Sequence, residues 1–138
     1  MNAYQYHELE IGHTEFFYTE ITNEKQHMFC QMSGDNNPLH TDPKFALKQG
    51  FQDCVVYGML AGSFYSTLVG VYMPGENCLI HRMDMQFRKP VFIGDKLKIH
   101  GTIKEKYDHV QLLVIKACIY NQKQELVSRA TIEVGCLK

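Results

Sequence analysis

No part of this chain gathers lysine and arginine into a basic block. With 14 Lys and Arg against 15 Asp and Glu, the formal net charge is -1. Phosphate binding needs clustered cations, so nucleic acid is excluded as the main partner, whereas a small anionic ligand held by two or three cations is not. Cys-x-x-Cys pairs are also missing. The five cysteines (Cys30, Cys54, Cys78, Cys118 and Cys136) are odd in number and widely spaced, which describes neither a zinc site nor a disulfide framework. His7, His13, His27, His81, His100 and His109 show no ligand spacing, so no metal is expected. The first twelve residues lack a cationic region followed by an apolar core. The expectation is therefore no signal peptide and a reducing, cytoplasmic location. The one long apolar run, Val55 to Met73, is diluted by Gly58, Gly62, Ser63, Ser66, Thr67 and Gly70, and reads as a buried helix, with no membrane contact expected.

What is present suits one globular domain over residues 1–138, 45% hydrophobic and 21% charged, without repeats or linkers. Residues 14–21 are rich in β-formers and predict a first strand. Thr22 reads as the N-cap of a helix over 23–33, with Met28, Phe29 and Met32 as its apolar face and Gly34 as its stop. Asp42-Pro43 opens a second short helix, closed by Gly50. A third helix, about 57–72, is apolar or small on every side, which predicts burial on all faces. Pro74-Gly75 ends it.

Beyond that point the period changes to two. Over 79–88, Leu79, Met83, Met85 and Phe87 alternate with polar neighbours, with His81 ambiguous between the faces. Leu97, Ile99 and Ile103 mark another strand, followed by 110–120 and 126–135 around an Asn121–Gln124 turn. Helices early and strands late predict an α+β fold: an antiparallel meander facing one buried helix.

The chemistry is concentrated in Asp35-Asn36-Asn37-Pro38-Leu39-His40-Thr41-Asp42. Pro38 fixes its own φ and drives Asn37 out of the α region, so the segment bends there. The bend can turn Asp35 and His40 inward together beside the apolar helix, an arrangement suited to proton transfer. Alone, Asp-Asn-Asn-Pro is an ordinary turn. The pairing with His40 ahead of a buried helix gives it weight.

These residues resemble the motif Asp-x-Asn-Pro-x-His-x-Asp of the MaoC-like, or (R)-specific, enoyl-CoA hydratases. Asp35, Asn37, Pro38, His40 and Asp42 fill each fixed position. Phe87-Arg88-Lys89-Pro90-Val91-Phe92-Ile93-Gly94-Asp95 is similar to that family's Phe-x-x-Pro-Val-x-x-Gly-Asp segment, and the likeness spans about residues 15–135. One position departs: Tyr57 precedes Gly58-Met59 where most relatives carry histidine.

The resemblance implies a hotdog fold, an antiparallel sheet wrapped around a long central helix. It also implies a hydro-lyase interconverting trans-2-enoyl and (R)-3-hydroxyacyl thioesters. Asp35 and His40 would be the acid/base pair. Gly58 at the helix N-terminus would stabilise the thioester oxygen, with Tyr57, Ser63, Ser66 and Asn37 as further substrate-binding candidates. No separate cofactor is implied, since coenzyme A or carrier-protein phosphopantetheine belongs to the substrate. A homodimer or higher homo-oligomer is expected, and an acyl carrier protein is a candidate partner. Arg82, Arg88, Lys89 and Lys48 are candidates for thioester phosphates or plain solvated charges. Two alternatives stay open: a non-catalytic acyl-thioester binder, for which Tyr57 is the hint, and a dehydratase of a polyketide or surface-glycan acyl pathway. A thioesterase is disfavoured because 57–72 contains no Asp or Glu.

Overall fold

A computed structural model describes residues 1–138 throughout. The strands are β1 (Thr14–Glu20), β2 (Cys78–Phe87), β3 (Lys96–Tyr107), β4 (Leu112–Tyr120) and β5 (Leu126–Cys136). They form one antiparallel sheet in the order β1-β3-β4-β5-β2, so β3, β4 and β5 make the expected meander and β2 returns to pair with β5. The helices are α1 (Asn23–Ser33), α2 (Pro38–Thr41), α3 (Pro43–Lys48) and α4 (Gly58–Thr67), the last continuing as a π-type turn over Leu68–Tyr72. This is the hotdog arrangement, with the sheet curved around α4.

Period-two patterning builds the core. Leu97, Ile99 and Ile103 of β3, Leu113, Ile115 and Ile119 of β4, and Ile132 and Val134 of β5 are all fully buried. Against them lie Leu60, Tyr65, Leu68 and Val69 from the helix. Helix and sheet meet tightly at Gly101, where a Cβ would stand 2.7 Å from Leu68 Cδ2 and 3.2 Å from Ile115 Cγ2. Only hydrogen fits there. The Asn121 turn works as its chemistry suggests: Asn121 Oδ1 accepts from the N–H groups of Lys123 (3.0 Å) and Glu125 (3.1 Å).

Four features differ from expectation. The bend at Pro38 does not simply leave helix. Asn37 is extended (φ -53°, ψ 129°), but Pro38 then opens a new turn, α2, at the position where its missing N–H costs nothing. Helix α4 is not buried on all faces: Met59 is 56% exposed, and Ser63 and Ser66 are open, because the sheet covers only one side of it. On α1 the buried residue is Gln26, while Met28 and Met32 are 59% and 76% exposed. They border an apolar cleft of about 360 Å³ that separates α1 from Leu60, Ser63 and Phe64 of α4. Strand β2 is an edge strand, so only Cys78, Met83 and Met85 are partly covered and Phe87 is 53% exposed. The ambiguity at His81 has a cause: the register slips between Ile80 and Arg82, a bulge that changes the side chain's alternation. No helix is long and apolar enough to cross a membrane.

Candidate active site

Local hydrogen bonds shape the loop before His40. Thr22 Oγ1 accepts from Lys25 N–H (3.2 Å) at the start of α1, and Gly34 (φ 74°) closes that helix in the left-handed conformation. Asp35 Oδ1 then accepts from Asn37 N–H (3.1 Å), and Asn37 Oδ1 from Leu39 N–H (2.9 Å). Asp42 Oδ1 accepts from Lys44 N–H (2.9 Å) and opens α3. Between these caps, α2 carries His40 into its last turn.

The imidazole of His40 is held in one tautomer. Nδ1 lies 2.6 Å from the Val55 carbonyl oxygen, which can only accept, so Nδ1 carries the hydrogen. In the neutral ring Nε2 therefore keeps a free lone pair. The ring packs on Tyr57 with centroids 4.1 Å apart, and Tyr57 in turn packs on Phe29 at 4.9 Å. Tyr57 is 2% exposed, and its hydroxyl donates to the backbone carbonyl of Asp35. Burial, reinforced by Cys30 and Asp35, pushes this phenol well above its ordinary range, so it is a neutral donor.

Beside His40 runs a cleft of about 310 Å³ lined by Val55, Gly58, Ala61, Phe87 and Val127, with Arg88 and Lys89 among its other walls. It meets the N-terminus of α4. Leu60 and Ala61 give their N–H groups to Tyr57 C=O (3.1 and 3.2 Å), while those of Gly58 and Met59 have no acceptor in the protein, and no side chain caps the helix. Such donors suit a developing oxyanion. A Cβ at Gly58 would come 3.2 Å from the Phe87 ring. A larger depression of about 760 Å³ beside His109 and Lys138 lies at the opposite end of the strands and is remote from this grouping.

The sequence-derived candidates are thus only partly assembled. His40, Tyr57 and Gly58 come together, with Asp35 tied to Tyr57 through its backbone. No hydrogen bond or ion pair joins the Asp35 carboxylate to His40; Asp35 is exposed, and its Oδ2 has no protein partner. Asn37 shapes the loop from the outside. Ser63 Oγ donates to Leu60 C=O (2.6 Å) and borders the α1–α4 cleft, and Ser66 is exposed, so neither reaches the His40 cleft. Lys89 is paired with Glu125, and Arg82 with Asp84 (3.2 Å), leaving Arg88 as the unpaired cation at the cleft. No three His, Cys, Asp or Glu side chains are grouped to hold a metal.

One residue escaped the reading of the sequence altogether. Gln26 of α1 is buried, and its Nε2 reaches the carbonyls of His40 and Val55 (3.2 Å each) while its Oε1 accepts from Tyr57 N–H (3.4 Å). The available signal was a lone amide one turn into a capped helix, which is ordinarily surface.

The sequence model described as "MaoC like domain" matches residues 13–121. The chain belongs to the MaoC-like domain family. It is 35% identical over 94 residues to an (R)-specific enoyl-CoA hydratase of Aeromonas caviae, covering 68% of this chain and 70% of that protein. To a 3-hydroxybutyryl-CoA dehydratase of Methylorubrum extorquens it is 29% identical over 100 residues, 72% of this chain and 64% of the relative. Among solved structures, the (R)-hydratase of A. caviae superposes with a TM-score of 0.89 at 27% identity, covering 93% of this MaoC-like chain and 97% of the other. The unliganded R-hydratase PhaJ1 of Pseudomonas aeruginosa gives 0.90 at 27% identity, over 96% and 85%.

Proposed function

We propose that this MaoC-like protein is a hydro-lyase that interconverts trans-2-enoyl and (R)-3-hydroxyacyl thioesters, with His40 and Asp35 as its acid/base pair. The observation that carries the reading is the locked tautomer of His40. Its Nδ1–H is fixed on Val55, so Nε2 is the proton acceptor, beside the cleft that contains the uncapped N-terminus of α4. In the hydration direction, water loses a proton and its oxygen bonds to C3, while C2 gains a proton and the double bond is consumed. Charge that develops on the thioester oxygen falls to the N–H groups of Gly58 and Met59. The free Oδ2 of Asp35 holds the water and shares the proton relay. The two hydro-lyase relatives named above support the reaction class.

The thioester carrier, coenzyme A or a carrier protein, is part of the substrate, and Arg88 is the cation available to its phosphates. Five free thiols suit a reducing, cytoplasmic setting. Self-association through β2 follows from its open edge, where Leu79, Ile80 and Phe87 are exposed.

The test is loss of the enoyl-thioester absorbance of crotonyl-CoA. Wild type should hydrate it, and Asp35→Asn and His40→Ala should each fall about a hundredfold or more. Binding of enoyl thioesters without turnover, unaffected by His40→Ala, would leave the non-catalytic binder.

A further inference from the structure

One buried polar side chain near the cleft, that of Gln26, lies outside the sequence motif and bonds to Val55 at the cleft's edge. Gln26 has two amide hydrogens and a carbonyl oxygen, and each is committed to a different backbone group. His40 C=O lies at the end of α2, Val55 C=O is the group that fixes the imidazole, and Tyr57 N–H is the peptide preceding Gly58. These groups belong to two chain segments separated by α3. The two segments also meet directly, through His40 Nδ1 on Val55 C=O and Val55 N–H on Leu39 C=O (3.1 Å), and Gln26 is the side chain outside them that bonds to both.

We propose that Gln26 is the positioning residue of this site, a strut that fixes the His40 imidazole relative to the N-terminus of α4. The proposal rests on the hydro-lyase reading for its kinetic consequence only. First, a buried amide with its three bonds satisfied has no alternative rotamer that keeps them, so α1 becomes a rigid reference. Second, Val55 C=O accepts from both His40 Nδ1 (2.6 Å) and Gln26 Nε2 (3.2 Å), so the carbonyl's direction, and with it the imidazole plane, is set by Gln26 as well as by its own chain. Third, the same amide holds Tyr57, whose ring packs on His40 and whose successor supplies the free N–H. A general base and an oxyanion site act on neighbouring atoms of one substrate, and an error of 1 Å between them costs about a hundredfold in rate.

Two variants test this in the full-length protein. Gln26→Met keeps the volume and removes all three bonds. Gln26→Glu keeps the acceptor for Tyr57 N–H, but its carboxylate has no hydrogen for the two carbonyls unless protonated. Fold is checked by circular dichroism, crotonyl-CoA kinetics give kcat and KM, and the His40 ring is followed by ¹⁵N–¹H NMR with its signals assigned by their absence in His40→Ala. Gln26→Met should lose about 10- to 100-fold in kcat with KM within about threefold, and its His40 ring signals should depart from a single Nδ1–H tautomer. Gln26→Glu should be impaired at pH 8. Its activity relative to wild type should recover as the pH falls, because the protonated acid regains one donor. Unmoved His40 signals in both folded variants, or moved signals with undiminished kcat, overturn the proposal. If wild type turns over no thioester, the hydratase reading fails by itself, and the NMR comparison still decides whether Gln26 orients His40.

Discussion

Replacing Tyr57 by phenylalanine removes one oxygen and leaves the aromatic stack of Phe29, residue 57 and His40 in place. What is lost is the hydroxyl's bond to Asp35 C=O. A net intramolecular hydrogen bond is worth about 0.5–1.5 kcal/mol, and the loss is larger when a buried partner is stranded. Here the partner is on an exposed residue that water can reach, so about 1 kcal/mol is the expected cost. For a domain of this size that lowers Tm by about 3–5 °C. The kinetic effect should be larger than this suggests, because Tyr57 is the side chain that restrains the backbone of Asp35 from inside the protein. In the proposed reaction the freed loop would sample positions in which Oδ2 no longer meets the water, and kcat should fall about tenfold, equivalent to about 1.4 kcal/mol. KM should be nearly unchanged. Circular dichroism melts and crotonyl-CoA hydration measure both. A Tyr57→Phe variant with wild-type kcat and Tm would refute the claim that the phenol holds the Asp35 loop, and would return Tyr57 to the role of plain filler.

Other expectations follow from single contacts. Gly101→Ala forces a methyl against Leu68 and Ile115, both fully buried, so denaturant titration should show a loss of about 1–3 kcal/mol. Gly58→Ala meets only the half-exposed Phe87 ring, which can swing away; stability should hold while hydration of crotonyl-CoA falls about tenfold as the methyl crowds the proposed oxyanion position. Cys78 is partly buried beside Cys136, and burial, with Cys136 adding, pushes its pKa up to about 11. Because only the thiolate reacts, its alkylation in the folded protein should rise about tenfold per pH unit from pH 8 to 10, as peptide mapping would show, and a flat rate would contradict that burial. Leu79→Asp places a charge on the open edge of β2, so sedimentation velocity should show the proposed self-association shifted toward monomer.

The architecture was readable because its signals are local. Thr22 and Gly34 bound α1, Asp42-Pro43 opens α3, and alternation over 97–134 marks β3, β4 and β5. Each depends on a residue's own backbone preferences and on burial with period two. Met28, Met32, Met59 and Phe87 misled for one shared reason. Apolar periodicity reports a face that avoids water, but not which surface covers it, and in a single chain of this fold the sheet covers only one side of α4. The bulge at His81 was visible only as a residue that fitted neither face.

The site divides along the same line. His40 could be found because its neighbours Pro38 and Asp42 impose a turn chemistry that sequence displays. Gln26 could not, because its meaning lies in three bonds to groups 14 to 31 positions away. Tyr57 stands between these cases. Its departure from the usual histidine was plain, and it hinted at an acyl-thioester binder without catalysis. In the fold the ring is turned away from the cleft's wall and under the loop, and the phenol has the reach to touch Asp35 C=O while stacking on His40. Since its burial holds it neutral, it does not compete with His40 for the proton. A substitution that looks like the loss of a titrating group therefore acts on geometry instead, and in the proposed reaction the acid/base chemistry stays with the two residues on the loop that Tyr57 supports.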